Sequence, residues 1–437
     1  MTPYERLRTG VVLRRAWAKV RESGLSSDST QTRQDTRHFE KDWLRNLDRL
    51  SGQLRNGKFS FGGEKGITLS KGQGKVGVRP IVLAPIANRI VRRAVLEVLQ
   101  GYGSNGDPPR RRWLGIPQVC EVMATRTSIG GIPERGVPHG LALVDQAVAE
   151  GRVWFVRSDI KNFFTKIPKS EVSAFIRTAV NDDVFADFFE AALATNLENR
   201  DELEERNHFK YFPNPEIGVA QGSALSALAG NIALRKFDDQ MNDRGITCIR
   251  YIDDFILLGS SQEKVLAAYN SARAHLNRLQ MDVYDLADEE AVSAGKVDMG
   301  NIFDGTDFLG YRISGHSLQP SAKSRQKLLD KIDDIVTKAK AEMRIASKGV
   351  PVAQTLRYHQ AAVSVHETVW GWSQSFKYTT AKHVFESLDT DIEMRIGALR
   401  QAAQEIGAGQ NYQTRRRISG IHLLIDTPLA PLSGLLD

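Results

Sequence analysis

Two adjacent carboxylates, Asp253 and Asp254, stand in IRYIDDFILLG (residues 249–259) between short apolar runs, Ile249, Tyr251 and Ile252 before them and Phe255 to Leu258 after. A tight turn between two buried strands would hold both side chains rigidly, and their mutual repulsion is costly unless a cation neutralises it. Asp-Asp also begins at 182, 238 and 333, in helix-like stretches of mixed polarity that read as solvated faces. Only the 253–254 pair therefore points to chemistry, and that chemistry is a magnesium site completed by a third acid from a neighbouring strand. Asp159 is the candidate, because VWFVRSDI (153–160) is rich in β-formers, nearly ends on this acid and is soon followed by Phe163 and Phe164. Two magnesium ions about 4 Å apart would activate a 3′-hydroxyl and stabilise a departing pyrophosphate. Magnesium keeps waters and substrate phosphates as its other ligands, so two or three acids suffice.

Composition narrows the alternatives. A chain of 437 residues exceeds one ordinary core, so two or three lobes are expected. Cys120 and Cys248 are the only cysteines, which excludes a disulfide framework and a Cys-rich zinc module, and the nine histidines form no HExxH spacing. Any metal is then held by oxygen. No stretch approaches the roughly 18 unbroken apolar residues of a membrane helix. The N-terminus has no signal-peptide core, so a cytoplasmic protein without a membrane partner is expected. The formal charge is +7, with basic residues gathered at 110–112, at 415–417 and over 323–348, where eight Lys/Arg face four Asp/Glu. Such clusters suit solvated faces as well as nucleic acid, so charge alone does not decide between them.

The elements that would carry the acids can be traced along the chain. Residues 1–60 read as basic helices interrupted by the polar run SGLSSDSTQT, and the Gly/Lys-rich FGGEKGITLSKGQGKVGVRP (61–80) as a loop or hairpin. Ile86, Ile90, Val91, Ala94, Val95 and Val98 recur at helical spacing. Residues 170–206 read as helical, and PNP breaks them at 213–215. Past Gly222, the residues Leu225, Leu228, Ile232, Phe237 and Met241 trace one helical stripe, with Ala224, Ala227, Ala229 and Gly230 keeping its flank slim. The strand pair around Asp253 follows, then a helix over 262–280, a strand over FLGYRIS (308–314), and a mostly helical pattern from 321 with a polar break at 346–353.

In this order, SDIKNFF, GVAQGSALSALAGNIAL, RYIDDFILLG and FLGY resemble polymerase motifs A, B, C and E of reverse transcriptases, particularly prokaryotic ones related to group II introns and retrons. VRPIVLAPIANRIVRRAV resembles the fingers segment of these enzymes, SIGGIPERGVPHGLAL the motif after it, and VWGWSQSF the thumb helix. The resemblance implies an α+β fold, a right-hand polymerase with fingers, a palm of antiparallel sheet plus helices, and a helical thumb. Its boundaries would fall at 1–62 for an N-terminal helical extension, 63–140 for the fingers, 141–318 for the palm with fingers insertions, and 319–437 for the thumb and a C-terminal extension.

The activity it implies is RNA-directed DNA synthesis. Asp159, Ile160 and Asp253 would bind two Mg2+ ions, with Asp254 as the third catalytic acid. Arg79, with Lys71 or Lys75, would hold the incoming triphosphate, and Gln221 and Gly222 would shape the nucleotide pocket. Phe164 would exclude a ribose 2′-hydroxyl, Lys296 would assist pyrophosphate departure as a general acid, and Phe308, Leu309, Gly310 and Tyr311 would form the primer grip. The slim flank after Gly222 would admit the template backbone. Trp370 and Trp372 read as thumb core, and the basic helix from about 323 as a phosphate track.

Ala220 stands where relatives often have proline, and Ile252 where retrons favour alanine; no NAxxH is present, and ISG at 313–315 matches the retron VTG poorly. After the thumb too little chain remains for an RNase H domain, and no Cys-paired endonuclease follows. What remains resembles the stand-alone, unknown-group reverse transcriptases associated with anti-phage defence, some of which copy a dedicated non-coding RNA. The partners implied are an RNA template, a DNA product and deoxynucleoside triphosphates, with self-association left open. Two other readings stay in view. A template-independent terminal transferase could use the same palm, whereas a non-catalytic RNA-binding scaffold would have no need of all three acids.

Overall fold

A computed structural model describes residues 1–27, 29–70, 78–103, 112–243, 245–351 and 355–427. It divides into two compact units, Met1–Asn301 and Ile302–Asp437. The break falls inside the 141–318 segment expected as palm.

In the first unit, β1 (Lys65–Ser70) and β2 (Val78–Leu83) form an antiparallel hairpin. Of the two readings of the Gly/Lys-rich run, the hairpin is the one realised. Its base is fixed by a buried ion pair between Glu64 and Arg92, whose Nε also donates to the carbonyl of Ala192 at 2.8 Å. Arg92 lies on the helix Ile86–Gln100, and that helix packs on Gly10–Leu25 near the N-terminus. The apolar periodicity read from the sequence is thus the face by which the N-terminal helices join the core. One hydrophobic cluster runs from Leu7 and Leu13 through Ile90 and Val156 to Val297.

The centre of this unit is a four-stranded antiparallel sheet of β3 (Trp154–Asp159), β4 (Thr247–Tyr251), β5 (Asp254–Gly259) and β6 (Val297–Asn301), in the order β4-β5-β3-β6. Helices Ser226–Met241 and Gln262–Arg278 cover it, and Leu228, Ile232, Phe237, Tyr269 and Leu276 are buried. The stretch expected to be helical over 170–206 is three helices, Lys169–Val180, Asp183–Leu193 and Arg200–Glu205. Asn181 takes up a left-handed conformation at the first break.

The second unit holds β7 (Thr306–Phe308), β8 (Tyr311–Ser314) and β9 (Ser317–Pro320), followed by helices Ala322–Ser347, Tyr358–Ser375, Lys382–Gly407 and Tyr412–Ser419. Its core gathers Leu328, Ile332, Met343, Val365, Leu399 and Ile418. The run FLGYRIS, expected to be one strand, is instead a hairpin corner. Leu309 (φ 52°) and Gly310 (φ 84°) are both left-handed, as a two-residue turn of this hand requires. Among the described residues no helix is long and apolar enough to cross a membrane.

Candidate active site

The register of the central sheet brings the three acids together. β3 and β5 pair with Asp159 opposite Asp254, and the backbone N–H of Ile160 donates to the carbonyl of Asp253 at 2.9 Å. Asp254 opens β5, while Asp253 lies in the two-residue turn after Tyr251, where Ile252 has φ 60°. A β-branched residue in that region is strained, and strain of this kind persists only where surrounding structure enforces it.

Cations complete the site. The Nζ of Lys296 ion-pairs with the carboxylate of Asp159, and the backbone N–H of Asp159 donates to the Lys296 carbonyl at 3.3 Å. The Lys296 ammonium and that of Lys161 lie 5.6 and 4.6 Å from the ring centre of Tyr284. Arg157, buried on β3, donates from Nη2 to the carbonyl of Gly295 at 2.9 Å and approaches Asp254 at 4.0 Å.

Crowded carboxylates resist ionisation here. Burial, and then the charge of Asp159, raise the pKa of Asp253, against which Lys296 and Arg79 act. Burial and Asp159 push Asp254 up to about 8, with Arg157 opposing. For Lys296, burial disfavours the charge, but the bond to Asp159 together with the charges of Asp159, Tyr284 and Asp253 outweighs it and raises the pKa. The buried Oδ1 of Asp254 has no hydrogen-bond partner. Among the described residues no three His, Cys, Asp or Glu side chains close into a metal cage. The acid set is open, with Asp159 held by Lys296 and Asp254 leaning towards Arg157. An orphaned carboxylate oxygen and raised carboxyl pKa values are what a bound divalent cation would relieve, and the donors are the hard oxygens that magnesium takes.

The described residues expected to bind nucleotide lie on the β1–β2 hairpin, in the loop before helix Ser226–Met241 and just after β3. The N–H of Val82 on β2 donates to the carbonyl of Gln221 at 3.3 Å, which fastens the hairpin to the loop before helix Ser226–Met241. Gly222 has φ 99°, a conformation that favours glycine. Arg79 is exposed on β2, and its charge is felt at Asp253. Lys71 and Lys75 lie outside the described residues. Phe164 is half-buried, 5.5 Å from the buried ring of Phe163, and its carbonyl accepts from Val219 N–H at 2.7 Å.

A family model described as "Reverse transcriptase (RNA-dependent DNA polymerase)" matches residues 69–285, about half of the chain and the stretch that holds Asp159, Asp253 and Asp254. The chain belongs to the reverse transcriptase family. Protein YkfC of Escherichia coli (strain K12) is 22% identical to this reverse transcriptase over 310 residues, 60% of this chain and 70% of that protein. Among solved structures, a partial Cas6-RT-Cas1-Cas2 complex is similar at 20% identity and a TM-score of 0.34, over 63% of this chain and 43% of that one. A telomerase from Candida albicans, in complex with a fragment of telomeric RNA, is similar at 9% identity and a TM-score of 0.37, over 85% of this chain and 68% of that one. The reverse transcriptase spans less than half of the Cas6-RT-Cas1-Cas2 chain that it matches.

In the second unit of the reverse transcriptase, Phe308, Leu309, Gly310 and Tyr311 form the β7–β8 corner. Phe308 and Tyr311 are buried, and the Tyr311 hydroxyl donates to the carbonyl of Ser375 at 2.8 Å. Trp372 packs on Phe376 with ring centres 4.5 Å apart, but Trp370 is 61% exposed and is not core, because the helix Tyr358–Ser375 turns it outward. Lys323, Lys327, Lys331 and Lys338 are exposed along Ala322–Ser347.

Two sequence readings of the reverse transcriptase need correction. The slim flank of Ser226–Met241 is occupied from within. A Cβ at Gly230 would lie 2.7 Å from the Phe163 ring, and one at Gly131 would collide with Ala227, so these small residues serve packing. Asp238, read as part of a solvated face, is buried and ion-paired to Arg250. Arg250 and Arg157 were missed as site residues. The available signal was a lone charge inside each of two apolar strands, which requires a buried partner.

Proposed function

We propose that this RNA-directed DNA polymerase elongates a 3′-hydroxyl end on an RNA template by magnesium-dependent nucleotidyl transfer at Asp159, Asp253 and Asp254. The observation that carries this reading is the β3–β5 register that faces Asp159 with Asp254 beside the Asp253 turn. Asp159, Asp253 and the carbonyl of Ile160 would hold two Mg2+ ions, and Asp254 would add charge beside them. When bound, those ions supply activation of the attacking hydroxyl and stabilisation of the leaving pyrophosphate.

The chain's own groups do the rest by alignment and electrostatics. Arg79 meets the triphosphate, Gln221 and Gly222 bound the nucleotide pocket, and Phe164 excludes a 2′-hydroxyl. Lys296 holds a proton at Nζ that it can deliver to the departing pyrophosphate, and the Phe308–Tyr311 corner grips the primer. The template is a dedicated non-coding RNA, and the setting is bacterial anti-phage defence; the resemblance to the unknown-group reverse transcriptases supports this. Sequencing nucleic acid that copurifies with the protein tests the template.

Primer extension on an RNA template with Mg2+ and deoxynucleotides should yield product in the wild type and at least a thousandfold less in Asp253→Ala. Equal product from the variant refutes the site. Synthesis that persists without template identifies a terminal transferase, and RNA binding without incorporation identifies a scaffold.

A further inference from the structure

The turn that carries Asp253 is clamped from behind by a side chain to which the chemistry above gives no part. Arg250, on edge strand β4, is fully buried. Its Nη1 donates to the carbonyl of Ile252 at 2.9 Å, inside the turn itself. Its Nε donates to Asp238 Oδ1 at 2.7 Å, and its Nη2 reaches Asp238 Oδ2, Ser128 Oγ at 2.8 Å and Asn231 Oδ1 at 3.1 Å. Asp238, Ser128 and Asn231 are all buried. The backbone repeats the pattern, since Arg250 N–H donates to Thr127 O and Ile129 N–H to Arg250 O, each at 2.9 Å. The segment 127–131 thus runs beside β4 as a short parallel partner.

Its glycines shape the turn. A Cβ on Gly130 would collide with the backbone nitrogen of Ile252 and sit 2.8 Å from its Cγ1. The Gly130 carbonyl meanwhile accepts from Asn231 Nδ2 at 3.0 Å. Ile252 itself is left-handed, a conformation that costs a β-branched residue free energy. A guanidinium holding the carbonyl of a strained residue, with its Nε and Nη2 bound to a buried acid and two polar side chains, is a device for fixing one backbone geometry. Lysine could keep the charge but not this fork of donors.

We infer that Arg250 is a positioning residue for the polymerase site. Through the Ile252 carbonyl, and braced by Asp238, Asn231 and Ser128, it holds the turn in the conformation that aims Asp253 at Asp159. This rests on the reading of Asp253 as a metal-binding acid.

The test compares wild type, Arg250→Lys, Gly130→Ala and Ser128→Ala by thermal melting, by primer-extension kinetics per folded molecule, and by Mn2+ binding followed by electron paramagnetic resonance without nucleotide. A misplacement of about 1 Å costs on the order of a hundredfold in rate. Arg250→Lys and Gly130→Ala should therefore lose 30-fold to 100-fold in kcat, with the deoxynucleotide KM within threefold and Mn2+ binding weakened at least fivefold. Ser128→Ala, which removes one brace and leaves the ion pair, should lose two- to fivefold in kcat with an unchanged melt. If the first two variants fail to fold, Ser128→Ala decides alone. Wild-type kcat and wild-type Mn2+ affinity in the folded variants overturn the inference. Should the wild type incorporate no nucleotide, the polymerase reading fails, and the Mn2+ arm still reports whether Arg250 shapes the acid turn.

Discussion

Arg250 and Arg157 lie in the same sheet, yet every guanidinium nitrogen of one has a hydrogen-bond partner and the Nε of the other has none. Arg250, on the edge strand, has a buried acid, two polar side chains and a backbone carbonyl on its donors. Arg157, on the central strand, has one carbonyl at 2.9 Å, Asp254 at 4.0 Å and an Nε without a partner, while Asp254 Oδ1 also lacks one. Buried polar groups left unmatched are costly, so a fold retains them where something else completes them. The difference separates a region that is finished by folding from one whose buried polar atoms stay unmatched beside the three acids, where the proposed cation and substrate would complete them. Lys169 offers a third case, a buried ammonium whose hydrogen bond goes to the carbonyl of Asn214, at 2.6 Å, with no acid.

The contrast can be broken most severely at Asp238. Replacing it with alanine strands Arg250 as a bare buried charge, and urea unfolding should report a loss of about 3–5 kcal/mol. An unchanged midpoint would show that the pair adds nothing beyond an apolar contact. Lys169 gives an intermediate effect that depends on pH. Burial lowers its pKa to about 8, below the usual lysine value of 10.5. Between these values the unfolded chain binds the proton that the folded chain has released, so stability should rise with pH from about 8 to 10.5, by at most about 3 kcal/mol. In Lys169→Met, melting followed across that range should be flat by comparison. The smallest effect is expected at Arg157→Met, where one carbonyl bond is lost but an orphaned Nε goes with it. Its cost should be about 1 kcal/mol in urea. A loss as large as that of Asp238→Ala would erase the distinction drawn between the two arginines.

Much of the site was legible because strand periodicity and apolar flanks expose an acid that does not belong in them. That reasoning located Asp159, Asp253 and Asp254 and the hairpin between β4 and β5. Lys296 was placed only through resemblance, since its loop has no periodicity, and its bond to Asp159 depends on the β3–β6 pairing. The pairing of Asp238 with Arg250 was hidden because a helix and a strand must pack before either residue has a reason to be there. Within Phe308–Ser314 an apolar run looked like a single strand. The left-handed pair Leu309 and Gly310 folds it back, and leucine gives no warning of that conformation. Gly230 was read as room for template when it is room for Phe163.

The hydrophobic cluster that begins at Leu7 has a practical corollary for anyone trimming this protein. Homology marks out residues 69–285, but Val12, Leu13, Ala16 and Val20 lie on the helix that packs against Ile86–Gln100, and Val12 and Val20 belong to the same core as Val91 and Val95. Cutting at the homology limits would strip one wall from the interior and leave a sticky, aggregation-prone product, so deletion libraries should start no later than the first helix.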